Sequence, residues 1–127
     1  MGSVYTREAM QHFLRPQNAR RMEPADGTGR AVNKVGDVCT FFLKAQEGVI
    51  TEAAFQAQGC AATIIAASIA TSWLLGQAVP VAQRLEIDAL ASQVGGLPQQ
   101  KIARANVAVV AIQVAAQDYL DRHGSTE

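Results

Sequence analysis

Cysteine is scarce in this chain of 127 residues, and two thiols cannot build the disulfide framework of a small secreted domain. With no leader-like segment at the start, they suit a reducing cytoplasm in which thiols serve packing or chemistry. An excess of either charge is missing as well. The 11 Lys and Arg balance 11 Asp and Glu, which leaves no global field to draw nucleic acid or an anionic membrane. The longest apolar run, Ala61 to Leu75, carries Thr63, Ser68, Thr71 and Ser72 and stops at Gly76, too short and too polar for a bilayer span. Ser, His and acidic residues show no spacing of a nucleophilic triad, and there is no glycine-rich phosphate loop, so enzymatic catalysis is not expected.

What the chain does have is apolar content, 49% of its residues, enough for an ordinary core in one domain spanning 1–127. An N-terminal helix and loop are expected over about 1–29, a sheet over about 30–59 and helices over about 60–121. Tyr5 to Leu14 reads as a short amphipathic helix with Met10, Phe13 and Leu14 apolar, broken by Pro16. Asn18, Pro24, Asp26, Gly27 and Gly29 mark a loop. Three strands follow, Arg30 to Val35, Asp37 to Ala45 with Cys39, Phe41 and Leu43 on one face, and Val49 to Gln58. The short Gln46-Glu47-Gly48 link makes them an antiparallel meander. Helical patterns then cover Ala61 to Leu75, Pro80 to Val94, and Pro98 to Leu120, the last with Ile102, Val109, Ile112 and Tyr119 inward. Strands first and helices after give an α+β domain, a small three-stranded antiparallel sheet with helices packed on one face.

Cys60 stands where the last strand ends and the apolar helix begins. A thiol there faces unpaired N–H groups and the positive end of the dipole, which makes it a candidate metal or sulfur ligand. It also suits a small packing residue that lets strand and helix approach closely. Two smaller patterns carry alternatives of their own. Arg15, Arg20 and Arg21 form a basic cluster for partner docking or a solvated surface. Met1-Gly2-Ser3-Val4-Tyr5-Thr6 fits a short acylation pattern or an ordinary start.

The order of these elements, with Tyr5, His12-Phe13, Pro16 and Asn18 at the front, Gly36-Asp37 and Phe55, Gly59-Cys60 in the middle, then Trp73, Gly76 and Leu97-Pro98 with Lys101, resembles the IscU/NifU-type iron–sulfur cluster scaffolds. The resemblance covers nearly the whole chain. It implies cluster assembly as the process, and a site that holds a [2Fe–2S] cluster, or zinc in its absence, through three Cys plus an Asp or a His. It further implies a cysteine desulfurase and an Hsp70-type chaperone system as partners, with Leu97, Pro98 and Lys101 as the chaperone-recognition stretch, and it leaves a homo-oligomer open.

Two of the three Cys positions differ in this chain. Val35 stands where the family has its first Cys, and Ala103-Arg104 replaces the His-Cys before the last helix, so Asp37 and Cys60 are what remains of the usual set. Cys39 shares a strand face with Asp37 and is an additional ligand candidate, although Phe41 and Leu43 on that face suit it to packing. His12 reads as a surface or capping residue and His123 as part of a frayed tail. Arg104 would repel a metal but would pair with Asp37 or the Cys60 thiolate, and it also suits a solvent-facing position. Three functions therefore compete. One is a scaffold that binds and transfers clusters with an incomplete ligand set, a second is a metal-free binding or regulatory relative, and a third is a sulfur acceptor acting through Cys60.

Overall fold

The computed structural model describes residues 5–124, so Met1 to Val4 of the acylation pattern lie outside the described residues. Helix α1 (Arg7–Leu14) is followed by strands β1 (Gly27–Val32), β2 (Val38–Gln46) and β3 (Val49–Gln58). Helices α2 (Ala61–Trp73), α3 (Val79–Gln83), α4 (Ile87–Ala91) and α5 (Ile102–His123) come after, with 3₁₀ turns at Ser92–Val94 and Gln99–Lys101. The strands form one antiparallel sheet in the order β1-β2-β3, with Phe41 opposite Gly29 on one side and Phe55 on the other. The α+β meander with helices on one face is therefore the observed fold.

Alternation along β2 puts Cys39, Phe41 and Leu43 into the core, where Ile65, Ile69, Val109 and Ile112 from α2 and α5 cover them. The opposite face carries a second, smaller cluster of Phe42, Ala54 and Met22, with Arg21 stacked over the Phe42 ring and paired with Glu23. Helix α2 is apolar all round because it lies between the sheet, α5 and α1. Its buried Ser68 and Thr71 are satisfied by the N-terminal segment. Gln17 N donates to Ser68 Oγ at 2.8 Å, and Asn18 Nδ2 donates to Thr71 Oγ1 at 3.0 Å.

Four expectations are corrected. Strand β1 starts at Gly27, because the glycines that read as loop let α5 press onto the strand. A Cβ at Gly29 would sit 2.2 Å from the Ala111 carbonyl oxygen, and one at Gly27 2.4 Å from that of Ala115. The helix expected over Pro80 to Val94 is broken between α3 and α4. On a continuous helix Val94 would point about 180° away from Leu85, yet both are buried. In α1 it is Ala9 that is buried, while Leu14 is exposed, and Thr6 caps the helix by accepting from Ala9 N. At the other end α5 runs to His123, whose ring stacks on Tyr119 with centroids 4.5 Å apart, so this residue is not frayed.

Candidate functional site

Strand β2 is entered through a tight turn built by Asn33. Its Oδ1 accepts from Val35 N at 3.1 Å and Asp37 N at 2.9 Å, and Gly36 takes the positive φ of 91° that the turn requires. Asp37 is thereby turned inward and is only 4% exposed. From the first turn of α5, Arg104 reaches it with both arms of its fork. Nε donates to Asp37 Oδ2 at 2.9 Å and Nη2 donates to Oδ1 at 2.7 Å. Asn33 Nδ2 adds a third donor to Oδ2 at 2.9 Å. The Arg104 hydrogen bonds hold the Asp37 carboxyl below its ordinary value against the opposing effect of burial, and Asn33 and the more distant Lys101 add to the lowering. The carboxylate in turn raises the Arg104 guanidinium.

Cys60 occupies the N-cap of α2 with extended backbone, φ −75° and ψ 167°, and its side chain makes no capping hydrogen bond. Its Sγ lies 3.6 Å from Thr63 Oγ1, and Thr63 Oγ1 donates to the Arg104 carbonyl at 3.4 Å. Half-buried Tyr5 completes the cluster. Burial raises its phenol first, and the charge of Cys60 raises it further. Beside the ion pair lies a shallow cavity of about 380 Å³, lined by Asn33, Lys34, Val35, Ala103 and Arg104.

Known proteins share this arrangement of elements. The NifU-like N terminal domain matches residues 4–126. The chain belongs to that family. Two iron–sulfur cluster assembly scaffold proteins IscU of Archaeoglobus fulgidus are each 36% identical over 125 residues, 98% of this chain and 82% of theirs. The IscU scaffold protein of Aquifex aeolicus is 32% identical over 130 residues, 100% of this chain and 83% of its own. In fold, the NifU-like protein (N-terminal) from Brucella abortus superposes with a TM-score of 0.73 at 14% identity, covering 94% of this chain and 96% of that one.

Within this NifU-like fold the candidate ligands part company. Cys39 is fully buried in the main core, and burial pushes its thiol up to about 12. His12 sits in the α1–α2 seam with Nδ1 2.7 Å from Ser68 Oγ, and burial lowers its pKa. Leu97 and Pro98 are buried, while Lys101 is half-buried. Among the described residues, no three of His, Cys, Asp and Glu converge as a metal would need. An iron–sulfur cluster or zinc asks for several thiolates or imidazoles, whereas this end offers one thiol and a carboxylate already engaged by three donors. The residues present do not fit either group by themselves. Asn33 and Thr63 escape the reading of ligand types. An Asn three residues before a Gly-Asp step is a turn signal that finds the first.

Proposed function

We propose that the chain works in iron–sulfur cluster assembly as a scaffold-type protein that handles its cargo through an incomplete ligand set. Its relatives in Archaeoglobus fulgidus and Aquifex aeolicus, iron–sulfur cluster assembly scaffold proteins IscU, support the process. The observation that carries the mechanism is the two-pronged Arg104–Asp37 contact. It occupies one of the two retained ligand types and leaves the half-buried Cys60 as the available sulfur. A cluster held here takes its other ligands from a second chain, a partner protein or a small thiol. The cysteine desulfurase and the Hsp70-type chaperone of the family resemblance are the partners this reading expects. No step in it requires the chain to catalyse a reaction.

The three donors on Asp37 favour a second reading, in which the protein is a metal-free partner that keeps the fold and binds assembly components. One experiment separates the two. The chain is purified anaerobically and supplied with ferrous iron, sulfide and a thiol, with and without a cysteine desulfurase, and iron content and visible absorption are followed. The shared-ligand reading expects little cluster on the isolated chain and absorption that appears with the added thiol or protein and is lost in Cys60→Ser. Absorption absent in every mixture supports the metal-free partner. Stoichiometric iron in the isolated chain, lost on Asp37→Ala, overturns both.

A further inference from the structure

Strand β1 is the outer strand of the sheet, paired with β2 along one edge only. Asn33 N donates to Asp37 O across the end of this ladder, so antiparallel alternation points the backbone groups of Arg30 and Val32 away from β2. At Thr28 the same outward N–H is capped by Asp118 Oδ2 at 2.9 Å. That side-chain cap closes one end of the edge and leaves Arg30 to Val32 open.

The flank of this edge is apolar. Of the eight exposed large hydrophobics among the described residues, four border this edge from its two faces: Val110 at 38% exposure and Val114 at 42% on the α5 side, and Val32 at 53% on the other, with Val35 at 64% in the turn beyond it. Helix α5 brings Val114 beside the strand, its carbonyl carbon 2.9 Å from where a Cβ on Gly29 would sit, and Val110 lies one turn back on the same face. Half of the exposed large hydrophobics along one edge marks an interaction surface. Around the open stretch the charge is of one sign, since Asp118 is already engaged by Thr28 N and Arg122. Arg30 and Lys34 are exposed and make no ion pair among the described residues, and Arg104 lies beyond Val35.

We propose that the β1 edge receives an extended segment of a partner protein by strand addition, with its alternate apolar side chains against Val110 and Val114 on the α5 side and its acidic ones on the other face, against Arg30 and Lys34. Main-chain hydrogen bonds to Arg30 and Val32 supply the register, and the cationic rim supplies the selection. A second copy of the chain is the poorer occupant. Two-fold antiparallel pairing centred on Ala31 sets Arg30 opposite the copy's Val32 with the copy's Arg30 and Lys34 as its diagonal neighbours, which gathers like charges on one short ladder. The surface lies outside the ligand set, so the proposal stands whichever reading of that site holds.

The probe is a short fluorescent peptide alternating valine with glutamate, compared with its valine–lysine counterpart by fluorescence anisotropy on the full chain. The acidic peptide should bind at least about tenfold more tightly than the lysine one, and the preference should collapse in Arg30→Glu. Amide exchange of the unmodified chain should slow at Arg30 and Val32 when the acidic peptide is present. Val32→Pro should abolish binding, since it removes one outward N–H. Absent binding of the acidic peptide, equal binding of the two peptides, or unchanged exchange at both amides overturns the proposal. So does sedimentation that finds a dimer of the free chain abolished by Val32→Pro, because the edge would then belong to a second copy.

Discussion

Gly59 faces Asp37 so closely that a Cβ on the glycine would lie 3.0 Å from the Cβ, Cγ and Oδ1 of the aspartate. The missing side chain is what lets the end of β3 close over the buried carboxylate while Arg104 reaches it from α5. Gly59 has no left-handed backbone requirement, so an alanine there tests packing alone. Gly59→Ala should destabilise the fold by about 1–3 kcal/mol, the usual range for overpacking. In an Asp37→Ala background, which removes the Cγ and Oδ1 contacts and keeps the Cβ one, part of that cost should vanish, and thermal melts of the four proteins measure the coupling. Additive losses would show that the glycine answers to something other than Asp37.

The ion pair makes a prediction about acid. An aspartate in the unfolded chain titrates near about 3.9, and in the folded protein Arg104 holds Asp37 lower than its ordinary value. A depressed folded pKa contributes stability that is full above the unfolded value and is lost as pH falls through the folded one. Arg104→Met should therefore melt several degrees below the unmodified protein at neutral pH, and the gap should narrow as the pH falls below the unfolded aspartate value and Asp37 takes up its proton. Melting curves collected across this range decide it. A gap that stays constant into acid means the arginine contributes packing and not charge.

The two thiols should behave as different kinds of residue. Cys39 is fully buried with its thiol pushed up to about 12, while Cys60 is half-buried at a helix N-cap. At about pH 8, iodoacetamide should label Cys60 in the folded protein and reach Cys39 only on unfolding. Cys39→Ser places an unpartnered hydroxyl in the core and should cost about 1–3 kcal/mol. Mass spectrometry of the labelled peptides reads the first claim and denaturant melts the second. Fast labelling of Cys39 in the folded chain would contradict its packing role.

Much of this architecture was legible because it rests on periodicity. Alternation at Cys39, Phe41 and Leu43, and helical spacing at Val109, Ile112 and Tyr119, are tied directly to burial. Glycine was the weak point. Gly27 and Gly29 carry the composition of a loop, yet they sit in a strand because a helix backbone needs their missing side chains. The break between α3 and α4 is likewise tertiary, since the core wants Leu85, Leu90 and Val94 from directions that one helix cannot supply. At the candidate site the charged types stood out, and the uncharged Asn33, Gly59 and Thr63 that position them did not. Asn33 carries a turn signal and Gly59 adjoins Cys60, but their part in placing Asp37, like that of Thr63, comes from where β2, α2 and α5 converge.

Asn33 does two separable things. Its Nδ2 donates to Asp37 Oδ2, and its Oδ1 receives the amides of Val35 and Asp37. Asn33→Asp keeps the acceptor and loses the donor, and it sets a second carboxylate beside Asp37. Asn33→Ala loses both and frees the turn. If the turn is what holds Asp37 in place, Asn33→Ala should speed amide exchange at Val35 and Asp37 and lower stability by about 1–3 kcal/mol, because it leaves a buried group unpaired. Asn33→Asp should keep those amides protected at neutral pH, yet raise the Asp37 carboxyl through like-charge repulsion. Carboxyl chemical shifts followed through an acid titration report the second effect, and amide exchange reports the first. Equal exchange in the two variants would mean that the backbone bonds Asn33 N to Asp37 O and Gly36 N to Asn33 O hold the turn without the side chain.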